Sequence, residues 1–179
     1  MKRLLSIIGA ISLLGTSTTS LVACNKTHEY TPEELAKLKE ENKIKTNNKE
    51  IRDNLEWMAP QEYPFSNNDN KYYYVVWKGN KDNDWIFSKF LNNTNKTENY
   101  IIDNKKEFSL IYFLVNNTNF KVDWTLRISG NMGKDNEYPL SDWDTDKFTY
   151  FKSVYRWNLT TQEPDLIIDD KGNVKVNGE

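Results

Sequence analysis

The chain has one cysteine and one histidine among its 179 residues. One thiol cannot form a disulfide within the chain, and zinc sites or Cys–His catalytic pairs need more of these residues held close together. The histidine, His28, lies in a short polar stretch near the N-terminus, where no predicted helix or strand would hold it beside a cleft. We therefore expect neither catalysis by histidine or thiol nor a zinc site.

The chain also lacks nucleotide-binding motifs and clusters of basic residues. Neither G-x-G-x-x-G nor G-x-x-x-x-G-K-S/T occurs. The 24 Lys and Arg residues are scattered among 26 Asp and Glu residues, and the formal net charge is -2. Binding to nucleic acid needs clustered positive charge that neutralises phosphates. We expect no nucleic-acid partner and no cofactor.

The first 23 residues have the pattern of a secretory signal peptide. Lys2 and Arg3 supply positive charge, an uncharged apolar run covers residues 4–14, and small and hydroxylated residues follow. Residues 4–23 carry no charge and are about long enough to span a bilayer, so an uncleaved anchor is the alternative. The hydroxylated residues make the C-terminal half of this segment weakly apolar, which favours cleavage.

The only cysteine directly follows this segment, in the stretch LVAC formed by Leu21, Val22, Ala23 and Cys24. The stretch resembles the bacterial lipobox, in which an aliphatic residue, a variable residue and a small residue precede a cysteine. The resemblance implies that the sulfur of Cys24 carries a diacylglyceryl group and that Cys24 is the first mature residue. Two acyl chains hold a protein stably on a membrane. We expect a lipid-anchored protein on the outer face of the plasma membrane.

The residues after the cysteine predict a tether followed by two helices. The stretch TPEEL contains a capping box formed by Thr31 and Glu34, and the helix that it begins is expected to run to about Lys45. This helix has few apolar residues, so it is expected to be a stalk, together with a second short helix that ends before Pro60. The expected segments are a signal peptide at residues 1–23, a lipidated tether at 24–30, a helical stalk at 31–60 and a β-domain at 61–179.

From residue 61 onward the pattern changes to strands. Runs of β-branched and aromatic residues alternate with clusters of Asn, Asp and Gly, and no helical pattern separates them. This spacing predicts a mainly β fold, an antiparallel β-sandwich or barrel. Tight turns are expected between residues 115 and 120 and between 168 and 174, where Gly172 can adopt positive φ. The expected strands are residues 72–77, 85–91, 99–102, 108–115, 120–129, 148–157, 166–168 and 174–176.

Two of the predicted strands differ in their faces. In FKVDWTLRIS, apolar and polar residues alternate, so Leu126 and Ile128 are expected inside while Thr125, Arg127 and Ser129 face solvent. The preceding strand, FSLIYFLV, is apolar on both faces. It is expected either to be covered on both sides or to present its outer aromatic residues to a ligand or another protein.

Carboxylates are the remaining candidates for metal binding or catalysis. Asp142, Asp144 and Asp146 match positions 1, 3 and 5 of an EF-hand loop, but Lys147 and Ser153 replace the glycine and glutamate that this loop requires. We therefore interpret the loop as solvated and predict no metal site there; the alternative is a looser calcium site in a β-loop, formed by these three aspartates. A glycosidase-type pair needs only two acids, and the sequence singles out none, so we predict no catalytic residue and no enzyme.

Aromatic residues are abundant, with 6 Trp, 10 Tyr and 8 Phe. Tyr and Trp on an exposed sheet bind sugars or proteins by stacking and large contact area. Most of these residues are expected in the core. The candidates for exposed, ligand-stacking residues are Tyr73, Trp85 and Trp143.

The signal peptide, together with YYYVVWKGNKDNDWIFSKF and FKSVYRWNLTTQEPDLIIDDKGNVKVNGE, resembles mollicute lipoproteins of the spiroplasma type. The resemblance covers the N-terminal 25 residues and parts of the C-terminal two thirds, and it is most specific in the block KSVYRW to EPDL. It implies a domain on the surface of a wall-less cell, and it assigns a role to Cys24 alone.

These patterns leave three functional hypotheses. The first is a surface-displayed binding or host-interaction module, whose partner is a host protein or a glycan. The second is a solute-binding lipoprotein that serves a transporter, although such proteins are usually longer and built from βα units. The third is a structural or antigenic coat component. An exposed apolar patch would favour the first, and a concave pocket with convergent polar groups the second.

Overall fold

The computed structural model of the protein describes residues 29–93, 98–116, 122–131 and 137–179. The predicted signal peptide, the lipidation site Cys24 and His28 lie outside the described residues. Two α-helices, α1 (Pro32–Glu41) and α2 (Lys49–Asn54), and a short 3-10 helix (Pro60–Glu62) lie in the N-terminal part. The strands are β1 (Leu55–Trp57), β2 (Tyr72–Trp77), β3 (Ile86–Leu91), β4 (Tyr100–Asn104), β5 (Phe108–Asn116), β6 (Val122–Asn131), β7 (Glu137–Asp142), β8 (Phe151–Trp157), β9 (Leu166–Ile168) and β10 (Val174–Val176).

The strands form two four-stranded sheets and a hairpin, all antiparallel. Sheet I has the order β1-β8-β2-β3 and sheet II the order β4-β5-β6-β7, while β9 and β10 pair only with each other. The prediction of a mainly β, antiparallel fold is confirmed. The eight predicted strands all occur with small shifts at their ends, whereas the short β1 and the edge strand β7 were not predicted.

The two sheets share one hydrophobic core. Alternate residues of β2 contribute Tyr73, Val75 and Trp77, each fully buried, because successive side chains of a strand point to opposite faces. Phe65, from the loop before β2, lies within this cluster, and its ring centroid is 5.0 Å from that of Tyr73. The buried members contributed by sheet II and its neighbouring loop are Leu110, Tyr112, Leu126, Ile128 and Trp143.

A second cluster covers the other face of sheet I. Tyr74 in β2 and Tyr155 in β8 point into it, and the hairpin contributes Leu166. Ile44 and Ile51, from the helical segment, complete the cover and are themselves 4% and 7% exposed. Strand β2 is therefore buried on both faces, which explains why YYYVVW is apolar throughout.

The helical segment is not a projecting stalk, and that expectation is not supported. Helix α1 begins with the predicted capping box, in which the N–H of Thr31 donates to Oε2 of Glu34 at 2.9 Å, but it ends at Glu41 instead of near Lys45. Nζ of Lys39 lies 2.5 Å from Oε1 of both Glu56 and Glu62, so α1 is attached to the body of the fold. A helix with few apolar residues is thus held by ion pairs at the edge of sheet I.

The second helix is also shorter than predicted. Helix α2 ends at Asn54 because the next three residues pair with β8, with Leu55 opposite Trp157 and Trp57 opposite Tyr155. Leu55 and Trp57 alternate with Glu56, which is the period of a strand, and both are 3% exposed. Ile51, Leu55 and Met58 are spaced at i, i+4 and i+7, which is typical of a helix and is why the second helix was predicted to continue towards Pro60.

Two turns have clear physical causes. In the β9–β10 hairpin, Gly172 adopts the predicted positive φ of 75°, a conformation that costs glycine little. Strand β8 begins at Phe151 instead of Phe148, because the carboxylate of Asp146 accepts hydrogen bonds from the backbone N–H groups of Thr149 and Phe151. These bonds hold a turn where the sequence predicted strand.

Candidate functional site

Tyr73 is not an exposed stacking residue, and this expectation is wrong. Its side chain is 0% exposed, and its hydroxyl donates to Oδ2 of Asp69 at 2.7 Å. Burial, followed by the hydrogen bond and charge of Asp69, raises the pKa of Tyr73 far above its usual value. The reason is topological: β2 is an interior strand of sheet I and is covered on both faces.

Trp143 is also buried, at 6% exposure, so its predicted exposure is wrong as well. Its ring lies 5.3 Å from that of Phe65 in an edge-to-face arrangement, and its backbone N–H donates to the carbonyl of Leu126 at 2.9 Å. The neighbours of Trp143 in the sequence are acidic, but in space it packs against Phe65, which comes from a loop almost 80 residues away.

Trp85 is half-buried, and its ring is already in contact with other residues. Nζ of Lys78 lies 4.6 Å from the ring centroid and Nζ of Lys152 lies 5.6 Å from it. Gly172 packs so closely that a Cβ added there would lie 2.6 Å from Cγ of Trp85. The indole therefore attaches the β9–β10 turn to sheet I, which is a structural role.

The three aspartates of the DWDTD stretch bind separate protein groups. Asp142 forms a bidentate pair with Arg127, at 2.5 Å from Nε and 2.7 Å from Nη2. Asp144 accepts from Oγ1 of Thr125 at 3.3 Å, and burial followed by the charge of Asp142 raises its pKa. Asp146 accepts the backbone N–H groups of its own turn. Within the described ranges, no group of three or more His, Cys, Asp or Glu residues is arranged to hold a metal ion.

The outer face of sheet II carries a groove of about 270 Å³, which we call the outer groove. The register of the strands forms it: Ile101 in β4 lies opposite Ile111 in β5, and Ser129 in β6 lies opposite Pro139 in β7. No helix or hairpin among the described residues covers this face. The described residues that line the groove are Asn99, Tyr100, Ile101, Ile111, Phe113, Arg127, Ser129, Glu137 and Pro139.

Phe113 and Arg127 form one wall of the outer groove. The guanidinium carbon of Arg127 lies 3.4 Å from the ring centroid of Phe113, a cation–π contact that is typical of arginine. Because Asp142 holds the same guanidinium through two hydrogen bonds, the wall has one defined geometry. One face of the Phe113 ring is thus occupied by Arg127.

The predicted solvent-facing side of β6 is wrong at two of its three named positions. Thr125 is 4% and Ser129 is 3% exposed, although both point away from the shared core. Thr125 lies opposite Phe113 of β5 and donates its hydroxyl to Asp144, while Ser129 lies opposite Pro139 of β7. These neighbours come next to β6 only in the folded sheet. The floor of the groove is correspondingly tight, with Ile111 at 5% exposure.

Polar groups at the rim are few and spread apart. Oδ1 of Asn99 accepts the backbone N–H of Leu114 at 2.8 Å, so the Asn99 carboxamide is fixed beside the groove. Glu137 is exposed and lines the groove from β7, while Ile101, in β4, is 47% exposed. An apolar floor with an amide and a carboxylate at its rim is suited to binding, since catalysis needs convergent acid–base groups.

Sequence reasoning missed most of this site. The apolar outer face of FSLIYFLV was the available signal, and one of its two predicted consequences, outer aromatic residues facing a partner, corresponds to Phe113. The pairing of Arg127 with Asp142 leaves no local pattern in the sequence, because it depends on the register between β6 and β7.

Comparisons of the chain with protein-family models, curated proteins and solved structures found no match. Across the described part of the chain, every helix is too short or too polar to cross a bilayer. The function must therefore be argued from the geometry of the groove and from the N-terminal motif.

Proposed function

We propose that the protein is a lipid-anchored binding module on the outer face of the plasma membrane, and that its partner binds in the outer groove. The LVAC stretch supports the anchor at Cys24. The observation that carries the binding role is that sheet II leaves one apolar-floored face open, whereas sheet I is covered on both faces. Exposed apolar surface costs solvation free energy and commonly marks an interaction site.

The partner that fits the outer groove best is a protein that inserts an apolar side chain. The floor and rim are mainly aliphatic, with Ile101, Ile111 and Pro139. A sugar ring binds by stacking on an aromatic face, and Arg127 already occupies one of the two faces of Phe113. Amide and carboxylate groups at the rim, from Asn99 and Glu137, can bind the backbone or a cation of the partner.

The two alternative functions have less support. Small-molecule sites bury most of the ligand surface and present convergent polar groups, whereas the polar groups around the outer groove are spread apart, which disfavours a solute-binding lipoprotein. A coat component needs only to fold and project, so it would tolerate a charge in the groove. The membrane location is common to all three hypotheses.

Binding by the outer groove can be tested with two matched isoleucine variants. Ile101 in the groove is 47% exposed, and Ile167 on the β9–β10 hairpin is 39% exposed, so Ile101→Glu and Ile167→Glu should both fold. The purified chain is screened against host surface proteins and a glycan array. We expect Ile101→Glu to weaken protein binding by about tenfold or more, as for a residue at the centre of an interface, and Ile167→Glu to leave it unchanged.

Three results would contradict this proposal. Equal binding by both variants would place the interface elsewhere on the surface. Binding to glycans alone would contradict the assignment of a protein partner. Binding of nothing by the wild-type chain would favour the coat hypothesis.

A further inference from the structure

Two exposed aromatic residues share an unusual backbone conformation. Tyr63 is 53% and Phe148 is 57% exposed, and their φ angles are 46° and 58°. Large L-residues seldom adopt this left-handed region, and they do so when surrounding contacts enforce it. Each ring is therefore presented to solvent by a backbone that is strained at that residue.

Hydrogen bonds to neighbouring groups hold both turns. Around Phe148, the carboxylate of Asp146 accepts the N–H of Thr149 at 2.9 Å and that of Phe151 at 3.1 Å. Tyr63 ends the 3-10 helix, and its N–H donates to the carbonyl of Pro60 at 3.1 Å. The backbone of the two turns thus holds both rings at the surface. The strained φ angle is not accompanied by burial of either side chain.

The two turns lie at the same end of the fold as the N-terminal chain. Pro60 and Phe148 line one small cavity, which places the 3-10 helix beside the Phe148 turn. Tyr30 is joined to this helix by two hydrogen bonds: its N–H donates to Oε1 of Gln61 at 2.7 Å, and Nε2 of Gln61 donates to its carbonyl at 2.9 Å. The chain that leads back to Cys24 therefore leaves the domain next to both aromatic residues.

The length of that chain limits how far this end can be from the lipid. Tyr30 is six positions after Cys24, and six residues of even fully extended chain span no more than about 20 Å. Tyrosine at such a distance suits the polar–apolar boundary of a bilayer, because its ring is apolar and its hydroxyl is polar. Phenylalanine can insert its ring on the apolar side of the same boundary.

We propose that Tyr63 and Phe148 form a membrane-contact surface that docks this end of the domain onto the bilayer to which Cys24 is anchored. The inference rests on the proposed lipid anchor and adds an orientation to it. The occupant of the surface is the headgroup region of the bilayer. A tethered domain that docks in this way has one end fixed against the membrane instead of rotating freely on its tether.

The test uses the full, lipidated chain in phosphatidylcholine vesicles that contain spin-labelled lipid. When the sulfur of Cys24 carries lipid, Lys147→Cys supplies the only free thiol, and a bimane label at this exposed position lies beside Phe148 without replacing it. The comparison is the same labelled chain with Tyr63→Ser and Phe148→Ser. The control carries the label at Ile167→Cys, on the hairpin.

We expect the label at position 147 to be quenched by the spin-labelled lipid and its emission to shift to the blue. In the double serine variant the quenching should fall by about twofold or more, because polar residues lose the affinity of aromatic rings for the interface. The label at position 167 should be quenched little in either background.

Two outcomes would overturn the inference and are distinguishable from each other. If the chain sediments with the vesicles but the label at 147 is quenched no more than that at 167, the anchor stands and the contact surface is wrong. If Cys24 itself reacts with the label and the chain does not sediment, the lipid anchor and the contact surface both fail.

Discussion

The two four-stranded sheets differ in what covers their outer faces. Sheet I is covered by α1, α2 and the β9–β10 hairpin, and its interior strand β2 is buried on both sides. Sheet II has its inner face in the shared core and its outer face open at the outer groove. Both β2 and β5 read as apolar on both faces in the sequence, so the pattern alone does not decide which strand is covered. The difference teaches that the cover of a strand such as β2 is supplied by elements outside its own stretch of sequence.

The difference between the two sheets would be contradicted most clearly if their outer faces contributed equally to stability. Trp157 lies in the covered face of sheet I at 1% exposure, whereas Phe113 lies half-buried in the outer groove. We expect Trp157→Ala to lower the free energy of unfolding by about 3–5 kcal/mol, and Phe113→Ala by about 1–2 kcal/mol, because a cavity forms only at the fully packed site. Urea unfolding measures both, and similar losses would contradict the difference between the sheets.

The cover of sheet I can be weakened at its hairpin. Gly172 has φ of 75°, and a Cβ there would meet the Trp85 ring at 2.6 Å. We expect Gly172→Ala to cost about 1–3 kcal/mol, from backbone strain together with loss of the Trp85 contact. The matched control is Gly178→Ala, since Gly178 also has positive φ, 90°, but has no atom within 4 Å of its added Cβ. A loss no greater than that of the control would show that the Trp85 contact contributes nothing.

The wall of the outer groove depends on the pair formed by Arg127 and Asp142. We expect Asp142→Asn to destabilise the fold by about 1 kcal/mol, because the pair is mostly but not fully shielded from water. Arg127→Lys should lower the affinity of the groove for its partner, since lysine cannot form the bidentate pair while stacking on Phe113. Urea unfolding measures the stability of both variants, and a binding assay with the partner measures their affinity. An unchanged affinity of Arg127→Lys would mean that this wall is not part of the interface.

The smallest expected effect is a pH dependence of the free energy of unfolding. It arises from Glu56, where α1 is attached to sheet I. Burial alone would raise the pKa of Glu56, but hydrogen bonds from Lys39 and Asn158 and the charges of Lys39 and Arg156 together lower it. A lowered pKa in the folded state means that Glu56 stabilises the fold above its unfolded pKa, about 4.5. This contribution should disappear as the pH falls through the lower folded pKa.

The contribution of Glu56 to stability is measured by urea unfolding between about pH 6 and about pH 3. This interval includes the usual pKa of a carboxyl group, about 4. In Glu56→Gln the loss of stability on acidification should be smaller than in the wild-type chain, because one carboxylate with a lowered pKa is absent. A control variant, Glu41→Gln, removes an exposed acid at the end of α1. Identical pH profiles for Glu56→Gln and the wild-type chain would show that Glu56 does not stabilise the attachment.

Local features of the fold were readable from the sequence. The capping box at Thr31, the inward-facing positions of β6 and the turn glycine Gly172 each depend on residues within a few positions of one another, so their physics is contained in a short window. The strand β1 was missed because three residues are too few to show a period. Strand β7 was missed because Pro139 and its polar neighbours resemble a loop.

The candidate site was less predictable than the fold. Tyr73 and Trp143 were expected at the surface, yet both are in the shared core, because Phe65 and the opposite sheet reach them from elsewhere in the chain. Phe113 was among the aromatic residues for which the sequence left open an exposed, partner-facing role. Its wall partner, Arg127, acquires that place only through the register of β6 with β5 and β7.

The amino-acid sequence by itself determined where strands form, how α1 begins and which cysteine resembles a lipidation site. Tertiary structure alone decided which apolar face is covered and which is open, since Ile44, Ile51 and Leu166 share a buried cluster with Tyr74 although none of them lies near β2 in the sequence. Secondary-structure propensity and turn geometry depend on residues close together in the sequence, whereas the burial of a sheet face depends on every element that packs against it. The outer groove exists because those covering elements all lie on the other sheet.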